Sequence, residues 1–172
     1  WAFLWLFAGF VIGFSFWYII LSNTAILEQQ VGTYCLINQP GNADCVKTLT
    51  TQTQTSPTAF ATNKERMFLI FANNIYVLIF TIIFSLAFGA GAIFILVWNA
   101  TVIGVALGDF VRYEVSTVTE LLGYAHVSQY FQAISLGVLR YATHGVFEIL
   151  AYFIAGLAGG IISISVVRHT FG

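Results

Sequence analysis

Charge is what this sequence has least of. Only 8% of its 172 residues are Asp, Glu, Lys or Arg, whereas a soluble domain has about 25%. Apolar residues make up 59%, and so few charges could not cover the surface of a water-soluble fold of this size. Disordered chains are poor in apolar residues and rich in charge, so disorder is excluded as well. The composition therefore predicts an integral membrane protein.

Two long segments, residues 1–27 and 67–108, contain no charged residue. About 20 apolar helical residues cross the hydrocarbon core of a bilayer, so the second segment is long enough for two crossings. The net charge is −1, and no basic patch indicates nucleic acid as a partner. We expect a multi-pass protein of the cell membrane whose first partner is the lipid bilayer.

The apolar segments predict an all-α, polytopic transmembrane helix bundle that forms a single domain over residues 1–172. Four helices are well defined by sequence, over residues 2–21, 67–88, 92–108 and 146–167. Glycines at positions 89 and 91 predict the break between the second and the third.

Two further segments are polar enough to need separate treatment. We predict that residues 109–120 form a polar connection. Polar residues also interrupt 121–142, so this segment either crosses the membrane or lies amphipathic at its interface. The expected number of membrane helices is therefore five, with four as the fallback.

Residues 22–66 form a polar extramembrane loop of about 45 residues after the first helix. Within it, Cys35 and Cys45 enclose a short polar stretch that contains the turn-forming pair Pro40-Gly41. This spacing predicts a disulfide if the loop faces an oxidising compartment, and two free thiols otherwise. We expect the loop to be extracytoplasmic, which places Arg140 near the cytoplasmic side of a five-helix bundle.

Three pairs of glycines lie four residues apart in the predicted helices: Gly9/Gly13, Gly104/Gly108 and Gly156/Gly160. Residues with this spacing share one helix face and let a neighbouring backbone come close. The pairs indicate either packing within one bundle or a subunit interface in a homo-oligomer.

Polar residues at membrane depth are costly without partners, which makes a second group of residues informative: Asn73, Asn74, Asn99, Arg140, His144 and Glu148. We expect Arg140 to pair with Glu148, and the asparagines to bond across helices and fix their register. The alternative is a polar path or site for an ion or small solute.

His144 and Glu148 share a helix face and could both bind a metal ion, but two side chains are fewer ligands than a zinc site requires. No nucleophile motif is present, so we predict no enzyme, no metal and no cofactor.

The same residues carry a family resemblance, in three segments of the sequence: FANNIYVLIF (71–80), VWNATVIGVALG (97–108) and THGVFEILAYFIAGLAGG (143–160). An Asn-Asn pair, an Asn in the next helix and a final helix that begins His-Gly-x-x-Glu and continues with Ala and Gly resemble the stage II sporulation protein M family, also called DUF95. Ala100 stands where the family usually has Gly. Residues 67–167 form the family core, and the motif adds Gly145 to the glycines expected at helix contacts.

The resemblance implies a function as well as a fold. The member after which the family is named belongs to an envelope complex with two peptidoglycan hydrolases, in which it is the membrane scaffold rather than the hydrolase. For this chain it implies a non-enzymatic scaffold that recruits other membrane or envelope proteins. The alternative remains a transporter or channel subunit that uses the polar residues.

Overall fold

The structure is a computed structural model that describes residues 2–21, 27–39, 41–50, 64–88 and 91–168. The described part is all-helical and contains no strand. Its α-helices, in chain order, are α1 Ala2–Ile20, α2 Glu28–Asn38, α3 Cys45–Thr50, α4 Lys64–Phe88, α5 Gly91–Leu122 and α6 Val127–Val167. The all-α helical bundle expected from the composition is therefore confirmed.

Four segments in the described residues are long and apolar enough to cross a membrane: Ala2–Ile20, Ile70–Phe88, Gly91–Leu122 and Gly145–Val166. This number is the fallback of four crossings rather than five. The segment 121–142 does not form a separate helix, because α6 begins at Val127 and continues unbroken to Val167. At about 1.5 Å per residue, α6 is about 60 Å long, roughly twice the thickness of the hydrocarbon core.

The polar connection predicted over 109–120 is also wrong, because α5 continues through it to Leu122. The segment contains neither Pro nor Gly, so nothing in the backbone ends the helix there. The turn comes instead at Gly123, which has a positive φ of 78°. Next to it, His126 and Gln129 form a capping box at the start of α6.

Helix α5 lies at the centre of the bundle and contacts α1, α2, α4 and α6. It runs parallel to α1, since Gly104 packs against Phe14 and Gly108 against Tyr18 one turn further along both helices. Many residues of α5 are buried. Four of them are small and allow neighbouring backbones to come close, namely Ala100, Gly104, Ala106 and Gly108. Gly91 lies against Phe84, so α4 and α5 form a tight hairpin.

The loop after α1 contains α2 and α3, which the disulfide between Cys35 and Cys45 joins. Both cysteines are buried in a core cluster with Tyr18 and Val105 of the membrane helices, so the pair packs directly on the bundle. Residues 51–63, a stretch rich in threonine, lie outside the described residues.

The loop and Arg140 lie at the same end of the bundle, because α2 and α6 contribute Tyr34 and Arg140 to one cavity. The placement of Arg140 opposite the cysteine loop is therefore wrong. It followed from counting a fifth crossing between them, and the unbroken α6 removes that crossing.

Candidate functional site

A cavity of about 360 Å³ lies between the membrane helices and is closed at the loop end by α2. Residues of α1, α2, α4, α5 and α6 line it. Volumes of this size fall at the lower end of the range for small-molecule pockets. Its polar lining residues are Tyr34, Asn73, Asn74, Asn99, Arg140, Tyr141, Glu148 and Tyr152.

The centre of the polar lining is Tyr152, which is only 2% exposed. Its hydroxyl group donates to Glu148 Oε1 at 2.7 Å and also lies 3.1 Å from Asn74 Oδ1. One proton is shared between two acceptors, and the shorter distance marks the carboxyl oxygen as the main one. The phenol thereby joins an amide of α4 to a carboxyl group of α6.

The other two asparagines have different environments. Asn99 Nδ2 donates to the carbonyl oxygen of Ile95 at 2.9 Å on its own helix, which leaves the amide oxygen of Asn99 for the cavity. Among the residues that the structure describes, Asn73 has no hydrogen-bond partner. Of the three predicted asparagines, Asn74 is therefore the one that the structure shows bonding across helices.

At the loop end of the cavity, the guanidinium group of Arg140 lies 5.1 Å from the ring centroid of Phe110. Tyr34 of α2 and Tyr141 of α6 belong to one packed cluster of side chains beside it, so α2 touches α6 at this point. Burial raises the pKa of Tyr141 to about 12, and burial likewise raises the pKa of Tyr34. Both phenols are neutral hydrogen-bonding groups at physiological pH.

The structure gives Glu148 and Arg140 partners that differ from the predicted ion pair. The two residues are eight positions apart on one continuous helix, and so about 12 Å apart along its axis. Glu148 bonds to Tyr152 one turn further on, while Arg140 stacks on α5. The side chain of His144 lies outside the described residues.

A second polar cluster holds the end of α1, and the sequence analysis did not identify it. Arg112 Nε donates to the carbonyl oxygen of Ile19 at 3.3 Å, and its Nη2 bonds to Ile19 and Leu21. The guanidinium also lies 4.8 Å from the ring centroid of Tyr18, and Asp109 interacts with both Arg112 and Tyr18. Arg112 thus caps the C-terminal carbonyls of α1 from the neighbouring helix.

The predicted glycine pairs differ in whether they make a close contact with another helix. A Cβ atom on Gly104 would lie 2.7 Å from Phe14 Cβ, and one on Gly108 would lie 2.8 Å from Tyr18 Cδ1. These two glycines therefore form the contact between α1 and α5. For Gly9 and Gly13, an added Cβ would meet no described atom within 4 Å.

In α6, the predicted Gly156 packs against α5, where an added Cβ would lie 3.0 Å from Ala92 Cβ, and a close contact with α4 falls at Gly159, one residue before the predicted Gly160. A Cβ on Gly159 would lie 2.6 Å from Ser85 Cβ, and Ser85 Oγ donates to the carbonyl oxygen of Gly156 at 2.9 Å. Gly160 lines a separate, apolar cavity of about 210 Å³. A Cβ on Gly145 would only touch its own helix, at Ile149.

Five of the six predicted polar residues therefore line one cavity, namely Asn73, Asn74, Asn99, Arg140 and Glu148. Tyr152 was not among the predicted residues, although its position four residues after Glu148 places the two on one helix face. The described residues contain no group of three metal-ligating side chains. What the lining can do chemically is donate and accept hydrogen bonds, with one cationic and one carboxyl group.

Together, the four apolar helices and the polar cavity between them define a class, the polytopic α-helical membrane proteins. The family model for Stage II sporulation protein M matches residues 2–171, essentially the whole chain. The chain belongs to this family, which is not a known family of enzymes. No curated protein and no solved structure gives a significant match.

Proposed function

We propose that this chain is a non-enzymatic membrane scaffold that recruits partner proteins of an envelope complex. The observation that carries the proposal is the bonding of Tyr152 to Glu148 and Asn74. These motif side chains join α4 to α6, and a polar contact of this kind fixes how two membrane helices sit against each other. A fixed arrangement of helices is what a platform for partners requires.

The outer surface of the bundle supports the same proposal. A Cβ added at Gly9 or Gly13 of α1 would meet no described atom within 4 Å, and Ile12 between them is 69% exposed. Small residues allow the close backbone approach on which helix association in membranes depends. This face of α1 is where a helix of a partner, or of a second copy of the chain, would approach most closely.

The test is purification from native membranes in a mild detergent, followed by identification of the proteins that remain bound. We expect Gly9→Leu with Gly13→Leu to lose bound partners, because the added side chains hold a neighbouring helix away. The control is Ala158→Leu, which likewise replaces a small residue by Leu, at an exposed position on α6. A wild-type chain that is always isolated alone and monomeric would contradict the scaffold proposal.

We also propose that the chain is a multi-pass protein of the cell membrane with the disulfide loop outside the cytoplasm. Disulfides persist in oxidising compartments, and Cys35 and Cys45 are joined. Both lysines of the chain, Lys47 and Lys64, lie in this loop. An amine reagent that does not cross membranes should therefore label the loop lysines in intact cells. Labelling of these lysines only after the cells are broken would contradict the orientation.

The second candidate is a transporter or channel subunit, and the observation that favours it is the polar lining of the cavity. Polar groups at membrane depth mark many solute and ion pathways. Flux into liposomes tests it, with Glu148→Gln and Asn99→Leu as variants that alter the lining. This candidate requires flux above that of empty liposomes, reduced by both variants. An absence of flux for ions and small solutes would remove it.

A further inference from the structure

We infer that the cavity is a lipid site, which binds the head of a phospholipid whose polar group carries hydrogen-bond donors, such as an amine or a hydroxyl. The inference does not depend on the scaffold proposal, because a scaffold and a transporter could each hold a structural lipid.

The lining combines polar and apolar groups. Most of the polar groups come from α4 and α6, among them Asn73, Asn74 and Glu148, and α5 adds Asn99, whereas the other side chains from α1 and α5 are apolar, including Phe7, Val11, Val102, Ile103 and Leu107. A purely polar solute would leave the apolar wall in contact with water or with nothing. An amphiphile satisfies both sides, because its head meets the polar wall and its adjoining carbon atoms meet the apolar one.

The cavity reaches the lipid-facing surface of α6. Val146 lines it, lies within the apolar segment Gly145–Val166, and is 54% exposed. The volume of about 360 Å³ equals roughly 12 waters at about 30 Å³ each. That is room for a lipid head but not for its tails, which would leave past Val146 and lie along α6 in the bilayer.

The charged and polar groups determine which head fits. Arg140 presents a guanidinium whose face rests on Phe110, and the N–H groups in the plane of such a group are suited to phosphate oxygens. Glu148 accepts the Tyr152 hydroxyl through one carboxyl oxygen, and its second oxygen and the amide oxygen of Asn99 can accept hydrogen bonds from donors of the ligand. Phosphoethanolamine and phosphoglycerol heads supply both a phosphate and donors. Phosphocholine supplies the phosphate but no N–H or O–H donor.

The experiment is native mass spectrometry of the full chain in detergent, titrated with phosphatidylethanolamine, phosphatidylglycerol or phosphatidylcholine of the same acyl composition. Phosphatidylethanolamine and phosphatidylglycerol should bind at least about tenfold more tightly than phosphatidylcholine, since hydrogen bonds to charged groups contribute enough for that ratio. Glycerophosphoethanolamine, the same head without tails, should bind far more weakly than the lipid. Equal binding of the three lipids, or equally tight binding of the free head, would overturn the inference.

Variants locate the site. Glu148→Gln and Arg140→Gln should each weaken binding of phosphatidylethanolamine about tenfold, against Glu120→Gln and Arg168→Gln as matched controls outside the cavity.

Because the cavity variants could also unsettle the fold, Val146→Trp provides a test that leaves every polar group in place. It obstructs the opening and should reduce lipid binding, whereas Ile154→Trp, at a position 60% exposed and outside the lining, should not. Equal binding by the two Trp variants would place the lipid elsewhere. Partner recruitment is measured separately, so loss of lipid selectivity and loss of partners are distinguishable results.

Discussion

Replacing Gly104 by Ala tests whether α1 and α5 pack as closely as the structure shows. A Cβ at this position would lie 2.7 Å from Phe14 Cβ and 3.2 Å from both the Val11 carbonyl oxygen and the Ser15 backbone nitrogen. Carbon atoms pack best at about 3.5–4.0 Å, so α1 would have to move away by about 1 Å. Two of the three near atoms belong to backbone, which cannot rotate out of the way.

The magnitude follows from two opposing effects. Overpacking of a tight contact costs about 1–3 kcal/mol, while Ala in place of Gly in a helix returns about 0.5–1 kcal/mol. The net change at Gly104 should therefore be a destabilisation of up to about 2.5 kcal/mol, with a central value of about 1 kcal/mol. At Gly13, where an added Cβ meets no described atom within 4 Å, only the favourable effect remains.

The assay is the thermal unfolding midpoint of each variant in the same detergent. About 1 kcal/mol corresponds to about 2–4 °C for a chain of this size. Gly104→Ala should therefore unfold several degrees below Gly13→Ala, with the wild-type chain between them. Equal midpoints for the two variants, or a lower midpoint for Gly13→Ala, would refute the arrangement of α1 against α5.

Three further predictions concern other contacts, and thermal unfolding in detergent measures all of them. Arg112→Gln should destabilise by about 1–3 kcal/mol, because it uncaps α1; an unchanged midpoint would contradict that cap. Removing the disulfide with Cys35→Ser and Cys45→Ser should cost about 2–3 kcal/mol, as expected for a bridge closing a short loop; a double variant as stable as the wild type would contradict this. Glu148→Gln should be mild and Glu148→Leu about 1–2 kcal/mol worse, since only the amide can still accept the Tyr152 hydroxyl; equal losses would show that this bond is not the relevant one.

Much of the fold could be predicted from sequence because the bilayer constrains it strongly. Uncharged apolar segments of about 20 residues have few alternatives to a membrane helix, so α1 and the apolar parts of α4, α5 and α6 were identified. The C-terminal part of α5 and the first part of α6 were not predicted. The polar residues of 109–120 were interpreted as a connection, whereas Arg112 among them bonds to the end of α1 and α5 stays helical there. Residues 121–142 were expected to form a separate segment, whereas most of them belong to α6.

Most residues that line the candidate site were predicted, but the contacts that these residues make with one another were not. Helical spacing can place Glu148 and Arg140 on one helix, but it does not show which neighbouring helix supplies a partner. Tyr152 was missed because a tyrosine in an apolar run is typical of lipid interfaces and helix cores. Only the packing of α4 against α6 shows that its hydroxyl group reaches Asn74.

The most direct test of the central claim, that motif side chains join the membrane helices to each other, is a double-mutant cycle between α4 and α6. The variants are Asn74→Ala, Tyr152→Phe and the combination, with unfolding free energy measured for all four chains in one lipid or detergent system. The account predicts that the two substitutions are coupled by about 0.5–2 kcal/mol, as for hydrogen bonds between membrane helices. Strict additivity of the two single effects would contradict it.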